Sequence, residues 1–390
     1  MEAERESVRL AVSLTLGVAA ANYSFSTHYI HQDSIPAISW IIMMAFAATW
    51  LICHSINCRI PCCAMAGSGF HGIGITRGRL MIEVLFAIAG AGIYAMEMVQ
   101  TAALPAAQGP LKEFAYSCAG HIKEAIDCIG YKDPLCNAIV KAFLTGDRTG
   151  LDSHTREIFR ISGASHLLAL SGLHMGIIYI ILSRALSLAG NSPAMQKTRS
   201  ATIIAAAGLF TVMTGASASI VRAFLFILIN EAAKICGRKA DGTSVLCTAL
   251  MIQLAISPGI ISSVSFQLSY LAMAGIITVY PVMQRMWPRP PAGHRFRFII
   301  TPMEKIWELC ALSISCQLFT GPMAWWRFGT FPQYFLLTNL LCIPLMSMIM
   351  FSSIAVTAMT AFGTCPAMLT EISERLIASM ISVLEIISSM

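Results

Sequence analysis

Apolar runs separated by short polar stretches set the layout of this chain. Runs at residues 10–23, 37–53, 80–99, 166–188, 201–213, 219–235, 244–256, 263–280, 306–318 and 334–362 each read as a helical span. A helix rises about 1.5 Å per residue, so roughly 20 apolar residues cross a bilayer core. The last run is long enough for a broken or doubled element. The longest polar stretch, residues 100–160, follows the third run. Within it Phe114, Cys118, Ile122, Ile126 and Ile129 recur at helical spacing with Lys and Glu between them, which predicts one or two amphipathic helices lying on a surface. Residues 370–390 mix Glu371, Glu374, Arg375 and Glu385 with apolar positions and read as a helix lying along an interface. The expected fold class is all-α: a polytopic integral membrane protein with about ten transmembrane helices, some broken, plus amphipathic interfacial helices. The expected organisation is transmembrane helices over 1–99, an extracytoplasmic amphipathic segment over 100–160, a channel-type membrane domain over 161–365 and an amphipathic helix over 366–390.

Composition agrees with the pattern. Of 390 residues, 56% are hydrophobic and only 12% charged, against roughly 25% charged in soluble domains; mean hydropathy is +0.69. An ordinary soluble domain does not fit between the runs. Residues 1–9 carry charges of both signs, and no small-residue cleavage site follows them, so the first run is expected to stay as a span.

The net charge of +6 is modest, and its placement says more. Arg59, Arg77 and Arg79, then Arg184, Lys197 and Arg199, then Lys234, Arg238 and Lys239, then Arg285, Arg289, Arg295, Arg297 and Lys305 fall in alternate loops. Cationic loops stay in the cytoplasm. That rule puts the N-terminus inside and residues 100–160 outside, in a multi-pass protein of the cytoplasmic membrane.

The 13 cysteines include several within apolar runs, where Cys acts as a small hydrophobe. Cys58, Cys62 and Cys63 lack the paired spacing of a zinc site. In an oxidising compartment, one disulfide among Cys118, Cys128 and Cys136 would leave one thiol over.

Polar groups at membrane depth cost several kcal/mol each unless paired or wetted, so their clusters are the candidate chemistry. Leu144-Thr145-Gly146-Asp147-Arg148 is followed by Asp152, Arg156 and Arg160. This reads either as a capped turn, with Asp152 the N-cap of a helix over 153–161, or as an entrance where Arg148, Arg156 and Arg160 meet an anion. The block Ser165-His166-Leu167-Leu168-Ala169-Leu170-Ser171-Gly172-Leu173-His174 opens an apolar run. Ser171 and His174 share a helix face, and no acidic residue in that run would orient a hydrolytic pair. A hydrogen-bonded core cluster and a gating element both fit. Arg222 sits just inside a run after Thr214-Gly215-Ala216-Ser217, where it must pair, snorkel or face water. Gln267 and Ser269 lie within Ser265-Phe266-Gln267-Leu268-Ser269. Asn339 precedes Pro344, which interrupts an apolar run as in helices lining membrane cavities.

These blocks, in this order, resemble the competence domain of the ComEC family of DNA-internalisation proteins, with Gly237-Arg238-Lys239-Ala240-Asp241 as a further match and the resemblance running from about Ala142 to Pro344. The resemblance implies an inner-membrane channel that passes one strand of DNA in natural transformation. Its path or gate would be lined by Asp147, Arg148, Arg160, His166, Ser171, His174, Arg222, Gln267, Ser269 and Asn339. Its partners would be single-stranded DNA and membrane lipid, with homo-oligomerisation left open. No catalytic group, metal or cofactor is expected. The long members' OB-fold and metallo-β-lactamase-like domains have no counterpart in these residues: none of the nine histidines forms a His-x-His-x-Asp-His cluster. A separate DNA receptor and nuclease are therefore expected. No GxxxxGK[ST] loop occurs, so a cytoplasmic ATP-driven translocase would supply the drive. A transporter for a small anion, and a membrane hydrolase using Ser171 and His174, are the alternatives.

Overall fold

The computed structural model describes residues 2–29, 82–95, 110–188, 190, 192–287, 297–329, 331–364 and 367–390. The expected span at 37–53 and the basic segments at 54–79 and 288–296 lie outside these residues. Among the described residues the fold is all-α, as the periodicity predicts. They fall into two compact units, residues 1–107 with 240–267, and residues 108–239 with 268–390.

In the first unit, α1 (Glu2–Tyr29), α2 (Ile82–Ala95) and α10 (Gly242–Ile256) pack together and a 3-10 turn, Pro258–Ser262, follows α10. Val8 and Ala11 meet Cys247 in a small core. Gly17 brings α1 and α2 into backbone contact: a Cβ there would lie 1.8 Å from the Ala87 carbonyl oxygen. The polar groups at this crossing satisfy one another. Tyr94 donates to Asn22 Oδ1 at 2.7 Å and Asn22 Nδ2 donates to Ser262 Oγ at 2.8 Å.

The second unit holds α3 (Pro110–Asp127), α4 (Pro134–Thr145), α5 (Ser153–Ile161), α6 (Ser165–Leu168), α7 (Gly172–Ser187), α8 (Pro193–Met213) and α9 (Ala218–Ile235). After α11 (Val264–Thr278) come α12 (Tyr280–Arg285), α13 (Arg297–Phe328), α14 (Phe335–Ala361) and α15 (Ala367–Ser388). Its main core joins Ile139 and Phe143 of α4, Phe159 of α5, Leu167 of α6, Met346 and Met350 of α14 and Met380 of α15.

Two helices are long and apolar enough to cross a membrane, Val264–Arg285 (α11 with α12) and Phe335–Ala361; Ile82–Ala95, Pro134–Thr145, Gly172–Ser187 and Gly242–Ile256 are apolar but shorter. The expected count of about ten is thus met by two among the described residues. The physical reason is plain in α9, which carries Arg222, Glu231 and Lys234, and in α13, which carries Glu304, Lys305 and Glu308. Charges inside a helix lower its transfer free energy gain even where the run around them is apolar.

The breaks also differ from expectation. Pro344 lies inside an unbroken 27-residue α14, a position that helices of membrane type tolerate. The run at 166–188 is broken instead, between Leu168 and Gly172. The apolar stripe of α15, with Ile377, Met380 and Leu384 buried, is spent on the core it shares with α14. Cys118, Cys128 and Cys136 are all free thiols: Cys118 packs beside Met213, while Cys136 belongs to the main core.

Candidate functional site

The break between α6 and α7 is made by its own side chains. Ser171 adopts extended backbone and caps α7, accepting the Leu173 N–H at 3.3 Å. His174, three residues on, returns the favour: its Nδ1 accepts the Ser171 N–H at 3.2 Å and lies 3.2 Å from Ser171 Oγ. This is a capping box with histidine at the position usually held by Glu or Gln. The box starts a new helix at Gly172 in place of continuing α6.

The upstream turn is fixed as firmly. Asp152 caps α5 by accepting the Thr155 N–H at 3.1 Å, as expected. The α5–α6 turn needs Gly163, whose φ is +76° and where a Cβ would fall 2.6 Å from Pro332 Cβ. His166 is exposed and its Nδ1 sits 3.1 Å from the Gly163 carbonyl oxygen. A carbonyl only accepts, so Nδ1 carries the proton and Nε2 is the acceptor of the neutral ring. Thr338 Oγ1 donates to the Ser162 carbonyl at 2.7 Å, tying α14 to the same turn. The neighbouring Asn339 has a buried Oδ1 without a partner among the described residues.

Arg222, 8% exposed, lies beside the start of α7: its Nη2 is 3.6 Å from where a Gly172 Cβ would be. Its Nη1 donates to the Ser269 carbonyl, and the guanidinium stands 6.0 Å above the Tyr270 ring. Ser269 Oγ lies 3.2 Å from Ser219 Oγ. The arginine is thus held by a carbonyl dipole and an aromatic face and, among the described residues, not by a carboxylate.

Most of the remaining sequence candidates have structural partners. Asp147 accepts from Lys123 Nζ at 2.6 Å and from Thr149 Oγ1 at 2.7 Å; these bonds hold its carboxyl well below the usual carboxylate range. Arg160 forks onto Glu157 at 2.8 and 2.5 Å. Arg148 is exposed and forms no ion pair among the described residues. Gln267 belongs to the first unit, where its Nε2 donates to the Ile261 carbonyl at 2.8 Å. The structure therefore gathers Arg148, His166, Ser171, His174 and Arg222 around the start of α7, with Asn339 on the helix tied to the α5–α6 turn.

One polar centre escaped the sequence reading. Glu231 on α9 is 1% exposed and accepts from Tyr179 OH at 2.8 Å, Ser200 Oγ at 2.6 Å and Lys234 Nζ at 2.6 Å. It joins α7, α8 and α9 near the end of α9. The available signal was a carboxylate inside an apolar run, three residues before a lysine.

Comparison with known proteins follows the same ground. Residues 143–390 match the family model described as competence protein. The chain is 23% identical over 216 residues to ComE operon protein 3 of Bacillus subtilis (strain 168), covering 54% of this chain and 25% of that one. It is 26% identical over 221 residues to Uncharacterized protein YcaI of Escherichia coli (strain K12), covering 55% of this chain and 28% of that one. The match thus spans only about a quarter of the length of either relative. No solved structure matches the chain. Every candidate from Asp147 to Asn339 falls inside the matched residues, and the chain belongs to the competence protein family.

Proposed function

We propose that this chain forms the membrane path by which one strand of DNA passes into the cytoplasm during natural transformation. The observation that carries the reading is the family match over 143–390, which contains the α6–α7 break and its surrounding cationic groups. A strand backbone presents one phosphate after another, and such a chain is received by cations and hydrogen-bond donors. Arg148, His166, His174 and Arg222 are of that kind. In this reading the protein is a multi-pass protein of the inner membrane, with its N-terminus in the cytoplasm. Capture of the DNA, degradation of the complementary strand and the driving force belong to a receptor, a nuclease and a cytoplasmic ATP-driven translocase. Deleting the gene tests it: externally bound DNA should stay outside and transformation should fall to background. Undiminished delivery of labelled DNA to the cytoplasm overturns the proposal.

A second reading has one observation in its favour, the 3.2 Å separation of Ser171 Oγ and His174 Nδ1. A hydrolytic dyad of that geometry needs a group orienting the far ring nitrogen, and His174 Nε2 has none among the described residues. Labelling of Ser171 in the purified protein by a fluorophosphonate probe would establish the hydrolase; an unlabelled, folded protein removes it.

A further inference from the structure

His174 keeps a donor that the fold does not use. The ring is fully buried. Because its Nδ1 accepts a backbone N–H, the neutral ring carries its proton on Nε2. That Nε2 is buried without a partner among the described residues. Leaving a buried donor unpaired is destabilising, and the fold had a way to avoid it. Glutamate at the same position would cap α7 as well, would suit the positive end of the helix better and would bring no N–H.

The surroundings are rich in donors, and their carboxylates are engaged. Arg148 and His166 lie within electrostatic reach of the His174 ring, and Phe143 meets it edge-on at 5.7 Å. The start of the 16-residue α7 adds its dipole. The nearby carboxylates are already engaged, Asp147 with Lys123 and Glu157 with Arg160.

We propose that His174 serves two purposes at once, capping α7 through Nδ1 and donating through Nε2–H to a phosphate oxygen that binds with Arg148 at the start of α7. The identity of that phosphate as part of a DNA strand rests on the function proposed above; the anion site itself does not. The ring is covered in this structure, so the ligand is admitted when the segment around the α6–α7 break opens.

The test uses the full chain in nanodiscs with 15N-labelled histidine, the His174 signals being identified by their loss in His174→Gln. The free protein should show the Nε2–H tautomer at His174. A 20-nucleotide oligothymidylate and inorganic phosphate are then titrated separately. A shift of the His174 Nε2–H resonance with either ligand supports the site; a shift with phosphate alone keeps the site and removes the DNA reading. Oligonucleotide binding, followed by fluorescence anisotropy, that leaves the His174 signals unmoved when phosphate is silent as well overturns the inference while the DNA path stands. If neither ligand moves them, the inference is also overturned. Gln carries both an acceptor and a donor, so His174→Gln should bind within about twofold of the parent, while His174→Glu, folded to the same melting temperature, should bind about tenfold or more weakly. Equal binding by the Glu variant likewise overturns the proposal.

Discussion

The helix pair α7 and α9 holds two buried polar centres that solve the same problem in opposite ways. Glu231 is enclosed and receives three donors, from Tyr179, Ser200 and Lys234. His174, just as enclosed, receives one bond on Nδ1 and leaves Nε2 with nothing. A saturated centre holds helices together and gains nothing from a ligand. An unsaturated one costs the fold stability, and a ligand that supplies an acceptor gives it back. The contrast separates a polar group that builds the bundle from one whose donor goes unused among the described residues.

The strongest way to break the contrast is to empty the saturated centre. Glu231→Ala strands two hydroxyls and a lysine, although Lys234 is about half exposed and can turn to water. A loss of roughly 3 kcal/mol is expected, read as a lowered unfolding midpoint in detergent. A midpoint within error of the parent would mean that the three helices hold without it. Next in size is Ser171→Ala, which removes the N-cap of α7 at about 1 kcal/mol; Ser171→Asp should restore the midpoint. If alanine is neutral and aspartate is harmful, α7 does not begin where the capping box places it.

The two centres differ in how far the sequence reveals them. Ser171, His174 and Arg222 stood out because polar side chains inside apolar runs are few, and the i, i+3 spacing of Ser171 and His174 already placed them on one face. What spacing could not reveal is that the pair ends one helix and begins another, because a capping box normally carries Glu or Gln. Glu231 went unread because its partners Tyr179 and Ser200 come from other helices, and only packing brings them together. The helix over 153–161 was legible from its Asp152 cap, and that at 244–256 from its apolar run. The break was expected at Pro344 and lies at Ala169–Ser171, since side-chain capping there favoured a new helix while α14 absorbed its proline.

A smaller effect sharpens the contrast on the exposed side of the site. The Lys123–Asp147 pair is partly exposed and contributes about 0.5 kcal/mol. Hydrogen bonds from Lys123 and Thr149 depress the folded pKa of Asp147 below its ordinary 3.8. The stabilisation is therefore complete above that ordinary value and is lost only as pH falls through the lower folded one. Asp147→Asn should unfold slightly earlier than the parent at pH 7, and the difference should close in strong acid. A gap that persists there would show that the asparagine disturbs the turn itself.

The smallest change in stability is expected where the change in function is largest. His174→Leu takes away the acceptor for the Ser171 N–H, a loss of about 1 kcal/mol. It also removes the orphaned Nε2–H, which recovers about 1–3 kcal/mol, and it places an apolar side chain against Phe143 in a site already closed to water. The two nearly cancel, so the unfolding midpoint should stay within error of the parent or rise, while delivery of DNA to the cytoplasm falls. Glu231→Leu offers no such cancellation, because its donors keep their protons and lose their acceptor. If His174→Leu instead destabilises as Glu231→Ala does, Nε2–H has a partner in the membrane, and the two centres are of one kind.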